Sequence, residues 1–189
     1  MSADMPAGAP TDANAPVELL AAGRFVELRK RGRWEYAARV GNRGAAFILA
    51  VTDADEIVLV EQYRVPVQSS VIELPAGIVG DHPDDAEEGA KAAAARELEE
   101  ETGYRSHDIR HLQHGPTAPG LSAECLDLFL ATKLERVGPG GGVDEDEDIT
   151  VHVVAIDEVP AWLRRMEARG CLVDPRVYAG LWFAGHRNA

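Results

Sequence analysis

The stretch Arg96-Glu97-Leu98-Glu99-Glu100-Glu101-Thr102-Gly103-Tyr104 decides how the rest of the chain is read. Glu97, Glu100 and Glu101 stand at i, i+3 and i+4, so on a helix their side chains share one face. Like-charge pairs at these spacings each cost about 0.2–0.5 kcal/mol. The last turns of a helix disfavour an anion by a further ~0.3–1 kcal/mol per charge. A helix shaped for stability alone places Lys or Arg there. A divalent cation, by contrast, needs several oxygen ligands converging on one point, and carboxylates one turn apart supply them. The plain alternative is an Ala/Glu-rich helix with a solvated acidic face.

Outward from this stretch, the helix is expected to span Asp85 to Thr102, opened by the capping-box-like pair Asp85 and Glu88 and stopped by Gly103. Its other face carries Ala86, Ala90, Ala93, Ala94 and Leu98, small residues suited to close packing on a sheet. Upstream, Phe25 to Arg39 reads as a hairpin turning near Arg31-Gly32. Ala45–Val51 and Ile57–Gln62 are apolar, β-branched runs, hence strands, and Val71–Leu74 is a brief strand leading into the loop Pro75-Ala76-Gly77. Downstream, Cys125–Leu134 and Ile149–Ile156 read as strands, separated by Gly138-Pro139-Gly140-Gly141-Gly142 and an acidic run. Val159–Arg169 and Pro175–His186 read as closing helices. Strands mixed with a few helices in this order indicate one α/β domain around a mixed sheet.

Composition narrows the function. The 189 residues carry a net charge of −13, which argues against general nucleic-acid binding, whose affinity rests on phosphate neutralisation. Seven of the 19 basic residues nevertheless fall between Arg24 and Arg43, a basic corner able to hold a small anion. No apolar run approaches the ~18–20 residues that span a bilayer, so no membrane association is expected. Residues 1–16 are rich in Ala, Pro and Asp and read as a disordered tail. Cys125 and Cys171 have neither metal nor redox spacing, in keeping with idle thiols in a reducing cytoplasm. His111 and His114 share spacing for one face, but no third ligand accompanies them, and they read as surface residues. A calcium loop over Asp144, Asp146 and Asp148 fails, because Ile149 stands where that loop needs Gly.

Arg96 to Tyr104 resembles the core of the Nudix box, Arg-Glu-apolar-x-Glu-Glu-x-Gly-apolar. Glu88, eight residues before Arg96, matches the upstream Glu of that box, and Gly77 resembles its opening Gly, with ten intervening residues where the family usually has five. The chain also resembles the ADP-ribose pyrophosphatase branch in Gln62-Tyr63-Arg64, Glu73-Leu74-Pro75-Ala76-Gly77, Ala118-Pro119-Gly120-Leu121-Ser122, the acidic loop before Val151, and Val173-Asp174-Pro175-Arg176-Val177-Tyr178. The resemblance implies a Nudix fold, a mixed β-sheet sandwiched between helices, with an N-terminal β extension over residues 17–44 and the hydrolase domain over 45–189. It implies hydrolysis of the pyrophosphate of a nucleoside-diphosphate sugar, ADP-ribose above all, with Mg²⁺ as cofactor and Mn²⁺ as a substitute.

Carried over residue by residue, the resemblance makes Glu97, Glu101 and the Ala76 carbonyl metal ligands, and Glu100 a ligand or bridging acid. Arg96 orients these acids and Glu88 supports the helix. Glu147, with Glu145 second, steers the attacking water, and the Gly-rich stretch before them lets the loop close over substrate. Trp34 stacks on the adenine while Glu35 accepts from its amine; Arg39 and Arg64 bind phosphates or the terminal ribose. Gly120, Leu121 and Glu124 touch substrate. A homodimer joined through the N-terminal strands is implied. Three alternatives stay open: GDP-mannose or another sugar nucleotide with the same chemistry, a nucleotide-sensing module without turnover, and an acidic interaction domain.

Overall fold

In the computed structural model, residues 11–42, 44–80, 89–142 and 148–186 are described. Three strands come first: β1 (Val17–Ala22), β2 (Val26–Arg31) and β3 (Trp34–Arg39), an antiparallel sheet in that order. The β2–β3 pair is the expected hairpin, and Gly32 sits at its turn with φ +57°. β1 falls within the β extension expected over residues 17–44, although no sequence pattern marks it as a strand of its own. All six of its residues are exposed, so it lacks the burial alternation that marks a strand. The segment expected to be tail up to Pro16 forms a 3-10 turn over Thr11–Asn14, and Asp12 pairs with Arg33 at 3.1 Å.

The main sheet is built from β4 (Ala45–Val51), β5 (Glu56–Arg64), β6 (Ser69–Glu73), β7 (Ala76–Ile78), β8 (Tyr104–Pro116), β9 (Cys125–Arg136), β10 (Ile149–Ala155) and β11 (Leu172–Val173). Its order is β11-β6-β5-β4-β9-β8, with β10 on β5 and β7 on β4. The β4–β9 and β11–β6 pairs are parallel and the others antiparallel, the mixed sheet expected. β4 is buried along its whole length because helices cover both of its faces. Ala46, Ile48 and Ala50 face α1 (Ala90–Thr102), where Ala93, Ala94 and Leu98 are fully buried. Phe47, Leu49 and Val51 face α2 (Val159–Ala168) and α3 (Pro175–Gly185).

Three expectations are corrected. Helix α1 begins at Ala90, with Gly89 as its extended N-cap (φ −79°, ψ 152°) and no side-chain cap. The Asp85–Glu88 capping box is therefore not its start, and those residues, Ala86 among them, lie outside the described ones. Ala76–Ile78, expected as loop, is strand β7 against Ala45–Phe47. The longest strand, β8, was missed altogether. It is an edge strand whose sequence is mostly polar, with Ile109 alone buried, so no apolar run announces it.

Candidate functional site

The carboxylates of the opening stretch sit where α1 ends against β7. Glu97 and Glu101 are 8% and 6% exposed, a rare environment for carboxylates that needs partners. Arg96 Nη1 lies 3.0 Å from Glu97 Oε1 and 2.8 Å from Glu100 Oε2, and the Ala76 amide donates to Glu101 Oε2 at 3.0 Å. Glu99, on the solvent side, is held by a forked pair from Arg105, both N···O distances 2.9 Å. That hydrogen bond holds the Glu99 carboxyl below the usual range. The acid load that sequence flagged as unfavourable is thus shared between two guanidiniums and a backbone amide.

The helix end itself is capped by the glycine run. Gly103, at φ +71°, stops α1; Val137 and Gly138 amides bond its carbonyl, Gly141 N–H donates to Glu101 O at 2.8 Å, and Gly142 N–H to Glu100 O at 3.1 Å. These bonds satisfy carbonyls that a helix end leaves open. A side chain at Gly140 would collide with the Thr102 backbone, which explains the small residue. The run expected to let the acidic loop close over substrate is itself, from Val137 to Gly142, docked on the end of α1. Glu145 and Glu147 lie outside the described residues, as does Glu88.

Gly77 has a packing reason of its own. A Cβ there would fall inside the carboxyl group of Glu97, so only glycine lets α1 approach β7 this closely. The ten-residue gap after Gly77 therefore does not displace it from the site. Ala76, Gly77, Ile78, Glu97 and Glu101 line a cavity of about 300 Å³ together with Arg39, Phe47, Gln62 and Arg64.

The cationic side of this cavity is braced by carboxylates. Arg64 Nε bonds Glu73 Oε2 at 2.6 Å, and Arg39 Nε bonds Glu124 Oε1. Arg176, at the start of α3, pairs with Asp174 and lies over the Phe47 ring, 4.1 Å from its centroid. Burial opposes the Arg176 charge, but the Asp174 hydrogen bond and the nearby charges of Asp174, Glu73 and Glu124 overcome that and raise its pKa. Glu73 and Arg176 were not assigned roles from sequence; the signal available was their place within motifs already singled out.

Beyond Arg39 the surface continues to the N-terminal sheet. The loop at Pro119 is stitched to β3, Ala37 N–H donating to Leu121 O and Ala123 N–H to Ala37 O, both 2.9 Å. This places Trp34, 49% exposed, with Tyr36, Arg31, Pro119, Gly120 and Ser122 around a second cavity of about 300 Å³. Glu35 is exposed on the same strand and Leu121 is exposed on the loop; neither lines either cavity. Arg39 and Glu124 stand between the two cavities, lining smaller spaces with Ala123 and Ser122.

The structure thus brings together Ala76, Glu97, Glu101, Arg39 and Arg64, and separately Trp34 with Gly120. Glu100 is turned to Arg96 rather than into the cavity. Among the described residues no three His, Cys, Asp or Glu side chains form a ready-made ion cage. The donor chemistry nevertheless fits a hard dication: oxygen atoms only, from two buried carboxylates beside a backbone segment, in a space open to a small ligand.

The NUDIX domain family model matches residues 41–173. The chain is 35% identical over 142 residues to an ADP-ribose pyrophosphatase of Bacillus subtilis, covering 74% of this chain and 71% of that protein. It is 33% identical over 153 residues to a methanol dehydrogenase activator of Bacillus methanolicus, covering 78% and 80% respectively. Its fold matches the crystal structure of an ADP compounds hydrolase with a TM-score of 0.68 at 22% identity, over 92% of this chain and 95% of that one.

Proposed function

The chain belongs to the Nudix family, and on that premise we propose that it hydrolyses the pyrophosphate bond of a nucleoside-diphosphate sugar, converting ADP-ribose to AMP and ribose 5-phosphate. One observation carries the reading: buried Glu97 and Glu101 share a cavity with Arg39 and Arg64, and Arg39 leads on to the Trp34 cavity. A diphosphate needs such a split environment, cation-binding acids on one side and guanidiniums on the other.

Glu97, Glu101 and the Ala76 carbonyl would hold Mg²⁺, or Mn²⁺ in its place, with Glu100 as a further ligand or bridging acid. A metal there would supply positive charge against the diphosphate and acidify the attacking water. Arg96 keeps the acids aligned. Arg64, fixed by Glu73, and Arg39, fixed by Glu124, present their remaining N–H donors to phosphate or terminal ribose with little entropy left to lose. Trp34 stacks on the base and Glu35 accepts from its amine; Gly120 and Leu121 border that end. Glu147, or Glu145 beside it, steers and deprotonates the water. Support for this reading comes from the docking of Gly141 and Gly142, which shortly precede the acidic run in sequence, on the end of α1.

The working form is a homodimer. In support, the N-terminal sheet exposes Val17, Leu19, Leu20, Phe25, Val26 and Leu28, apolar surface of the kind a second chain covers. Free Cys125 and Cys171 suit a reducing cytoplasm, and among the described residues no helix is long and apolar enough to cross a membrane.

The test is to incubate the protein with Mg²⁺ and, separately, ADP-ribose or GDP-mannose, resolving products by chromatography. Release of AMP and ribose 5-phosphate from ADP-ribose is expected. Preference for GDP-mannose would retain the metal chemistry and remove the base assignment of Trp34 and Glu35.

A further inference from the structure

Part of the lining of the Trp34 cavity comes from the N-terminal turn Thr11–Asn14. That turn is held on the β2–β3 hairpin by three successive residues, Arg31, Gly32 and Arg33. Arg31 Nη1 donates to the Ala13 carbonyl at 2.9 Å, and Arg33 Nε lies 3.1 Å from Asp12 Oδ2. Gly32 leaves room for the Asp12 carboxylate, which a Cβ at that position would strike. The same glycine makes the hairpin turn at φ +57°, so one residue serves both the turn and the seat for Asp12. Asp12 and Ala13 thereby line the cavity together with Trp34 and Tyr36, which stand two apart on β3 and so share a face of that strand. Among the described residues lining this cavity, Asp12 alone carries a carboxylate, and Glu35 lines neither cavity. The Asp12 side chain is 25% exposed, open to a ligand yet shielded from most of the solvent.

We propose that Asp12 selects the base: its carboxylate accepts a hydrogen bond from the exocyclic amine of an adenine seated on Trp34 and disfavours a purine with a carbonyl in that place. The inference rests on Trp34 being the base platform, as proposed above. Stacking alone hardly separates one purine from another, because every base has a π-face. Selectivity needs a polar contact at the edge of the base. A carboxylate only accepts, so an amine satisfies it, whereas a carbonyl at the same position opposes acceptor to acceptor and leaves the Asp12 oxygen unpaired. The pairing with Arg33 does not exhaust Asp12, since a carboxylate has about four lone-pair sites. The guanidinium of Arg31, which lines the same cavity, is engaged by the Ala13 carbonyl. An exocyclic amine carries two N–H groups, so acceptance by Asp12 leaves the second for Glu35.

The probes are ADP and IDP, which share ribose and diphosphate and differ at one edge of the base, an amine in the first and a carbonyl with a neighbouring ring N–H in the second. Each is titrated by calorimetry into the full chain with Mg²⁺. ADP should bind about tenfold or more tighter than IDP, the worth of a hydrogen bond to a charged group. Asp12→Asn keeps the size and an accepting oxygen but adds a donor for a carbonyl, and should bring the two affinities within about twofold. Asp12→Ala should narrow the ratio likewise, and Trp34→Ala should weaken both nucleotides together. Equal binding of ADP and IDP by the unaltered chain, or a preference that persists in both Asp12 variants, would overturn the proposal. So would a preference lost in Glu35→Gln alone. Undiminished binding of both nucleotides by Trp34→Ala would instead remove the base platform itself, so the two failures are told apart. Thermal melting verifies that each variant is folded, and no arm depends on turnover.

Discussion

The two ends of the candidate site are built on different principles. At one end, α1 and β7 press Glu97 and Glu101 into the core beside fully buried Ala93, Ala94 and Leu98. At the other, Trp34 stands half exposed on a three-stranded sheet whose first strand is exposed throughout. The first end is fixed by packing and tolerates no extra atom at Gly77. The second is joined to the body by the Ala37 hydrogen bonds and the Arg39–Glu124 pair. On the proposed reading, chemistry is placed where geometry is rigid, and recognition where a ligand or second chain can still adapt the surface.

The comparison can be broken or sharpened by experiment. Glu101→Gln keeps an oxygen to accept from the Ala76 amide, so the fold should survive while kcat falls on the order of 10²-fold or more; steady-state kinetics and a melting curve separate the two effects. Leu98→Ala should destabilise the chain by about 2–5 kcal/mol in denaturant titration, and Leu19→Ala in the exposed strand by less than ~0.5 kcal/mol. Equal costs would erase the distinction between the two regions. Gly77→Ala should displace the Glu97 carboxyl and weaken Mn²⁺ binding about 10–100-fold, read by electron paramagnetic resonance. Trp34→Ala should raise KM for ADP-ribose about tenfold with kcat little changed, the worth of one base stack; a fall in kcat instead would place Trp34 with the rigid end.

The smallest effect concerns the thiols. Burial pushes the Cys171 thiol up, and the neighbouring Glu61 carboxylate, which its Sγ approaches at 3.7 Å, pushes the same way. Cys171 therefore stays protonated at neutral pH and gains reactivity only as pH rises through its raised pKa. At pH near 8, iodoacetamide should label half-buried Cys125 several-fold faster than Cys171, as peptide mass spectrometry would show. Fast labelling of both would mean that the β5–β11 side opens as readily as the surface.

Legibility followed burial. β4 was readable to the residue because both its faces are apolar. β1 and β8 were not, since a strand with one or no buried face carries little apolar signal. In the site, Glu97 and Glu101 were legible from a local repeat and Gly77 from its motif. The bracing pairs were not, although Glu124 was expected to touch substrate: Glu73 lies nine residues from Arg64 and Glu124 85 residues from Arg39, separations no local pattern spans.

Sequence alone determined what depends on neighbours along the chain: the helix stop at Gly103, the shared face of Glu97, Glu100 and Glu101, and the family those residues mark. Tertiary structure decided what depends on neighbours across it. Only sheet pairing placed Ala76 beside Glu101, only a bulge turned His111 and His114 toward Asp127, and only packing made the glycine run a cap for α1. The physical reason is that helix periodicity and turn chemistry act over a few residues, whereas ladder register and close packing join residues that the chain keeps far apart.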